Sequence, residues 1–476
     1  MLPLAVAAAG VLTLAPAASA AGSGVHYTPG AAGFGDSYFP LDGNGGYDAL
    51  HYGLDISYVP DTDQLDGTSV MTARATQDLS RFDLDLKDLA VSSVSVNGRR
   101  ASFHQDGQEV VITPSHGLRK GSVFFTTVRY GGIPKTIVGS PIVFGSPYGF
   151  LHTPDGAFIG TEPNASATWR PLNDHPGDKA AYTIRVTVPK GLQAVSNGRL
   201  VSESTHGDKS TFLWNEISPM ANYLATVDIG NWLIDESRTP GGIKNFVAVD
   251  PVLLTAQPTA VEFFRDTTAE VTDLWNDKIG KFPFDSTGAI ADDARFEGTP
   301  LGFSLETQTR PVYSAVRNTS TIAHELAHQW FGDAVSVQRW KDIWLNESFA
   351  TWWQWYWDEV HNVRTTADRA RLEYNRRPFP DPANSPYWSI KITDPQRDTM
   401  FNQRVYTGGG MVLQFLKEKI GDDKFFQLMS TWFAQHKYGN ANSEQFTALA
   451  SKVAGQDLTD FFNTWIYSTG KPPLPS

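Results

Sequence analysis

The hydrophobic pattern changes character near Asn231-Trp232, and this break commits the chain to two unlike halves. From about 25 to 230, short alternating runs dominate: 51–58 (HYGLDISY), 69–75 (SVMTARA), 123–130 (VFFTTVRY) and 182–188 (YTIRVTV). Side chains of a strand point to its two faces in turn, so this alternation predicts half-buried strands. Turn formers such as Asp61-Thr62-Asp63, Asn97-Gly98 and Asn197-Gly198 separate them. Strands spaced this way predict an antiparallel β-sandwich or saddle. The loop 42–48 is acidic and Gly-rich, but it lacks the later bidentate Glu of a calcium-binding loop and reads as a plain turn.

Beyond the break the period lengthens. Val261, Phe263, Phe264, Val271, Leu274 and Trp275 predict a helix over 256–279, with Pro258 near its start and Gly280 after its end. Residues 289–312 read as strands and loops. Helical spacing then predicts elements at 320–331, 345–360, 411–419, 422–435, 443–454 and 458–467. The expected fold is multidomain, β then α: an N-terminal β domain over 21–231 and a mostly helical domain over 232–476. Trp344, Trp352, Trp353, Trp355 and Trp357 surround most of one helix, which predicts a buried core helix rather than a ligand platform.

Composition removes several functions. Against 39 basic residues stand 51 acidic ones, a net −12, where a nucleic-acid or anionic-membrane binder needs a basic surface. No cysteine occurs in 476 residues. Disulfides, iron–sulfur clusters, thiolate zinc sites and thiol nucleophiles are therefore out, and any metal must be held by His, Asp or Glu. Residues 1–20 (MLPLAVAAAGVLTLAPAASA) are apolar and end in the cleavage pattern Ala18-Ser19-Ala20. They predict a signal peptide and hence a secreted, extracellular protein, although no Lys or Arg precedes Arg74. No later stretch reaches 20 uninterrupted apolar residues, so no membrane insertion is expected.

The chemistry is carried by His324-Glu325-Leu326-Ala327-His328, an H-E-x-x-H pattern inside a predicted helix. Residues i and i+4 share one helix face, so two imidazoles can reach one zinc ion. Glu325 then stands beside the metal as a general base. Catalytic zinc takes three protein ligands, and Glu347, near the start of the next predicted helix, is the candidate third.

The run HELAHQWFGD through WLNESFATWW, 324–353, resembles the aminopeptidase N family of zinc aminopeptidases, which are gluzincins. The family pattern, H-E-x-x-H followed by 18 residues and Glu, is met here by His324, His328 and Glu347. The resemblance implies a thermolysin-like catalytic domain, one Zn2+ ion, and peptide substrates with a free N-terminus. It points to the short, secreted bacterial type, without the large C-terminal helical domain of many relatives. Residues 302–308 (GFSLETQ) look like the family's G-A-M-E-N motif, with Phe303 in place of the first Gly and Thr307 in place of Asn. By this resemblance Glu306 binds the substrate amine, Glu162 assists it, and Tyr406 is the catalytic tyrosine that stabilises the oxyanion.

Two other readings share part of this pattern. A thermolysin-like endopeptidase would use the same zinc ligands and Glu325 but has no need of Glu306 and Glu162. A zinc-bound binding module would need neither Glu325 nor Tyr406.

Overall fold

The computed structural model describes residues 25–382 and 385–474. The signal-peptide reading of 1–20 lies outside the described residues. An eight-stranded sheet spans the N-terminal half. Its order is Arg199–His206, Lys209–Ala221, Lys179–Pro189, Tyr47–Val59, Gln64–Ala75, Val123–Gly132, Ala90–Val96 and Arg99–Arg100. The four predicted alternating runs are its central strands, each longer than its alternating segment. Along Tyr47–Val59 the residues Tyr52, Leu54, Ile56 and Tyr58 all point into the core. Neighbours pair antiparallel except Tyr47–Val59 with Lys179–Pro189, which run parallel with His51 opposite Ala181. A four-stranded and a five-stranded sheet complete this half. The latter contains the buried strand Gly156–Gly160, two residues before Glu162.

The second half opens with a mixed sheet, of which the sequence pattern suggested only the strands within 289–312. Its order is Leu233–Arg238, Lys244–Val249, Ser286–Ala291, Val312–Tyr313 and Ser304–Leu305. The first strand, LIDESR, is largely exposed and charged, so it carries little alternation. Ser304–Leu305 is an edge strand and delivers Glu306 directly from its end.

Eight α-helices follow among the described residues: α1 Ala260–Lys278, α2 Thr319–Ala327, α3 Trp344–Val360, α4 Thr366–Asn375, α5 Gly409–Ile420, α6 Asp422–His436, α7 Ser443–Ala454 and α8 Thr459–Trp465. Among them, α4 was not foreseen. It buries only Thr366, Ala370 and Glu373, too few apolar positions to register as a period. The five tryptophans of α3 are at most 3% exposed, as a core helix requires. Trp275 of α1 packs edge-on against Trp353 at 4.8 Å. Helix α5 crosses α3 at Gly409, where a Cβ would sit 1.7 Å from Ser348 Oγ. The Gly-rich run 408–410 is therefore a contact between helices.

Side chains stitch the halves together. Arg310 donates to the carbonyls of Ser196 and Gly198, both at 2.6 Å. Asp36 accepts from the Trp340 N–H at 2.8 Å. His175 and His361, without evident partners in the sequence, pair with Asp36 and Glu270. Among the described residues no helix is long and apolar enough to cross a membrane.

Candidate active site

Helix α2 starts at Asn318, whose Oδ1 accepts the Thr321 N–H at 2.8 Å and so caps the helix. The regular helix stops at Ala327, four residues before the predicted end. His328 nevertheless keeps helical angles (φ −59°, ψ −27°), which preserves the i, i+4 register with His324. The chain then swings away, reaching Gly332 at φ +138°. This turn brings the Phe331 carbonyl to 3.1 Å from His328 Nδ1. A carbonyl only accepts, so Nδ1 carries the proton and Nε2 presents its lone pair inward.

Glu347 enters from the first turn of α3. Its Oε2 lies 3.4 Å from His324 Nε2 and 3.5 Å from His328 Nε2, and the two Nε2 atoms are 3.2 Å apart. Three donors around one tetrahedral ion with bonds of ~2.0–2.1 Å stand about 3.3 Å from one another. The triangle therefore fits a single ion of zinc's size, and its N/N/O donor set suits zinc.

The electrostatics favour a cation at this place. Burial pulls His328 down, but the carboxylates of Glu306 and Glu347 carry it up to about 10. Burial opposes ionisation of Glu347, yet His328 and His324 hold it at about 2. Glu325 is pushed up to about 8, chiefly by burial, against the pull of His328. Glu162 and Glu306 are also raised, by burial first. Acids crowd here at a density that only positive charge can relieve.

Glu347 also belongs to a second group: Glu162, Glu306 and Glu347 each offer an oxygen within 4.8 Å of the others. Glu162 Oε1 is buried with no partner among the described residues. Glu306 accepts from the Tyr223 hydroxyl at 3.3 Å. Tyr406 sits in a π-helical turn, Arg404–Gly408, a wide turn that often marks functional sites. Its ring lies nearly parallel to that of His324, with centroids 6.1 Å apart. Ser348, next to Glu347, donates to the Val405 carbonyl at 2.6 Å and fixes this turn against α3.

All seven residues singled out from the sequence, His324, Glu325, His328, Glu347, Glu306, Glu162 and Tyr406, line one cavity of about 290 Å³. Sequence reasoning did not find Phe144, Phe401 and Gln403 on its wall, nor Tyr223 and Asn346 behind it. Tyr223 and Phe144 come from parts of the chain distant from any motif, and no local signal marks them. Asn346 abuts Glu347 in a glycosylation triplet; its full burial excludes a glycan.

The chain matches two family descriptions, "Peptidase M1 N-terminal domain" over residues 48–224 and "Peptidase family M1 domain" over residues 300–465. A leucyl aminopeptidase of Saccharolobus solfataricus is 27% identical over 419 residues, covering 82% of this chain and 50% of that protein. Aminopeptidase 2 of Candida albicans is 23% identical over 455 residues, covering 89% of this chain and 47% of that one. The chain thus spans about half the length of these curated relatives. The crystal structure of an M1 zinc metallopeptidase from Deinococcus radiodurans superimposes with a TM-score of 0.84 at 26% identity, covering 93% of this chain and 99% of that one. A mutant of that enzyme bound to a Tyr-Ser-Ala substrate gives a TM-score of 0.83 at 25% identity, with the same coverage. The β-rich first half and the helical second half thus match these relatives in architecture and in family descriptions, and the chain belongs to the M1 peptidase family.

Proposed function

We propose that this protein is a zinc-dependent aminopeptidase that removes N-terminal residues from peptides. The observation that carries this reading is the second acidic cluster. Glu162 and Glu306 lie beside the metal donors, and one Glu162 oxygen is buried without a partner. An α-ammonium satisfies both acids, and its charge is attracted more strongly among these buried carboxylates than in bulk water. An endopeptidase has no group to place there.

His324, His328 and Glu347 would hold the zinc ion. When bound, zinc polarises the scissile carbonyl and makes water nucleophilic near neutral pH. Glu325 takes the proton of the attacking water at its carboxylate and returns it to the leaving amine. The Tyr406 hydroxyl donates a hydrogen bond to the oxygen on which negative charge develops. Glu306, held by Tyr223, and Glu162 fix the substrate amine, so the first peptide bond is the one presented.

Residues 21–231 would form the domain that supplies Glu162, and 232–476 the domain that supplies the metal ligands and Glu325. Residues 1–20 would direct secretion. The decisive experiment compares a peptide with its N-acetylated form. Acetylation removes the ammonium charge and should abolish cleavage; equal cleavage of both forms would return the protein to the endopeptidase class.

A further inference from the structure

A second cavity of about 280 Å³ adjoins the metal cluster and shares Glu162, Phe144, Phe303, Phe401 and Tyr406 with it. Resting on the aminopeptidase reading, we infer that this cavity takes the side chain of the substrate's first residue, that it selects large apolar and aromatic side chains, and that Phe144 closes over them.

The walls argue for the selection. Val143, Phe144, Tyr148, Phe303, Leu305 and Phe401 line it with apolar and aromatic surface. Among the described residues no Lys, Arg or His lines this cavity, and Glu162 is its one carboxylate. An acidic side chain would enter without a counter-ion and face the acids that bind the amine. A methyl side chain would leave most of the walls uncovered, and each missing methylene in such a pocket costs about 10–200-fold in kcat/KM. Phe303 is held in place from behind. Its ring lies 5.8 Å from that of Phe158 and rests on Gly160, where a Cβ would come within 2.6 Å of it. A side chain at 160 would force the ring to move. The departure from G-A-M-E-N at 303 thus has a matching partner in the opposite half of the chain.

Phe144 carries the second part. It is 70% exposed, at the mouth of both cavities. Its backbone is left-handed (φ +55°, ψ +30°), an unusual state for a bulky residue. Strain of this kind clusters at ligand clamps. The loop is built to hold it. Phe144 N–H donates to Pro141 O at 3.2 Å, Gly145 N–H to Ser140 O at 2.8 Å and Ser146 N–H to Val143 O at 3.0 Å. A large apolar ring fixed in water beside an apolar cavity gains burial when an apolar side chain fills that cavity.

The test is a panel of aminoacyl reporters sharing one leaving group, assayed with the zinc-loaded full chain. Values of kcat/KM for Phe, Tyr and Leu should exceed that for Ala at least tenfold and that for Asp at least a hundredfold. Phe144→Ala should lower the Phe-to-Ala ratio about fivefold or more. In parallel, zinc-loaded Glu325→Gln protein is titrated calorimetrically with free L-Phe, L-Ala and L-Asp, and L-Phe should bind at least tenfold more tightly than the others. Reporters cleaved with Ala or Asp equal to Phe would overturn the pocket assignment and leave the aminopeptidase reading intact. No cleavage of any reporter, with L-Phe still preferred in the titration, would overturn the activity and support the pocket. An unchanged ratio in Phe144→Ala would remove Phe144 from it.

Discussion

The Tyr223 hydroxyl donates to Glu306 Oε1 at 3.3 Å, and the same hydroxyl accepts from Asn346 Nδ2 at 3.3 Å. One tyrosine from the N-terminal half thus ties Glu306, the acid proposed to bind the amine, to the residue beside Glu347, the proposed third metal ligand. Tyr223→Phe keeps the ring and its packing against Trp340 but removes this link. A hydrogen bond to a charged group is worth about 1.5–3 kcal/mol. Steady-state assays should show KM rising roughly tenfold with a smaller change in kcat. An unchanged KM would mean that Glu306 is held without Tyr223.

The proposed base and the proposed ligand can be told apart by mutation. Glu325→Gln should lower kcat by about two to four orders of magnitude, the usual range for a lost general base. Metal analysis of that variant should still find zinc. Glu347→Ala removes one corner of the donor triangle and should lose most of the metal. Chelation of the wild type should abolish turnover and added zinc restore it; a chelated protein that keeps full activity would refute the metal reading.

Tyr406→Phe deletes only a hydroxyl, from a ring fixed by the turn at Arg404–Gly408 and packed beside His324. Losing one oxyanion donor costs about 10²–10³ in kcat. The expected signature is a fall in kcat with KM nearly unchanged. Wild-type turnover in this variant would exclude the tyrosine from the reaction.

Gly160→Ala tests the fit between the halves. The new methyl meets the Phe303 ring, which lines the apolar cavity and must shift to make room. Overpacking of this kind costs about 1–3 kcal/mol. Melting curves and kinetics together should show a modest loss of Tm and a larger rise of KM for aromatic than for small N-terminal residues. A uniform rise for all substrates would place the effect elsewhere.

A pH test lies away from the metal. Asp228 is fully buried and, despite hydrogen bonds from Thr226 and the Ile159 N–H, burial raises its carboxyl to about 7. The unfolded chain ionises this group near pH 3.8, the folded chain near 7. Its favourable contribution is complete below pH 3.8 and is lost as the pH rises through 7. Asp228→Asn removes this dependence. The Tm of wild type minus that of the variant should therefore fall between pH 5 and 7 and level off above. A flat difference would mean that Asp228 is ionised in the folded protein throughout.

Much of this molecule is legible without coordinates because its signals are local. Two histidines four apart, a glutamate between them and another nineteen residues beyond the second histidine need only one helix and its neighbour. The alternating runs at 51–58 and 182–188 are half-buried strands, and alternation is what half-burial writes into a sequence. The strand Leu233–Arg238 and helix α4 were illegible for the same reason: both are too exposed to carry a period. Phe303 read from the sequence as a departure from a motif, because the glycine that accommodates it lies 143 positions earlier. Tyr223 and Phe144 act through tertiary proximity alone, which no window of sequence contains.

The metal donors stand on two adjacent helices of the second half, while Glu162, Phe144 and the tyrosine behind Glu306 arrive from the first. Bond breaking would thus rest largely on the second half, whereas the choice of end is shared: Glu306 and Phe303 come from the second half, Glu162 and Phe144 from the first. Taste for a given first residue can drift through the β-rich portion while the hydrolytic apparatus stays fixed, and a graft that exchanges that portion alone should retune what is trimmed without touching how it is cut.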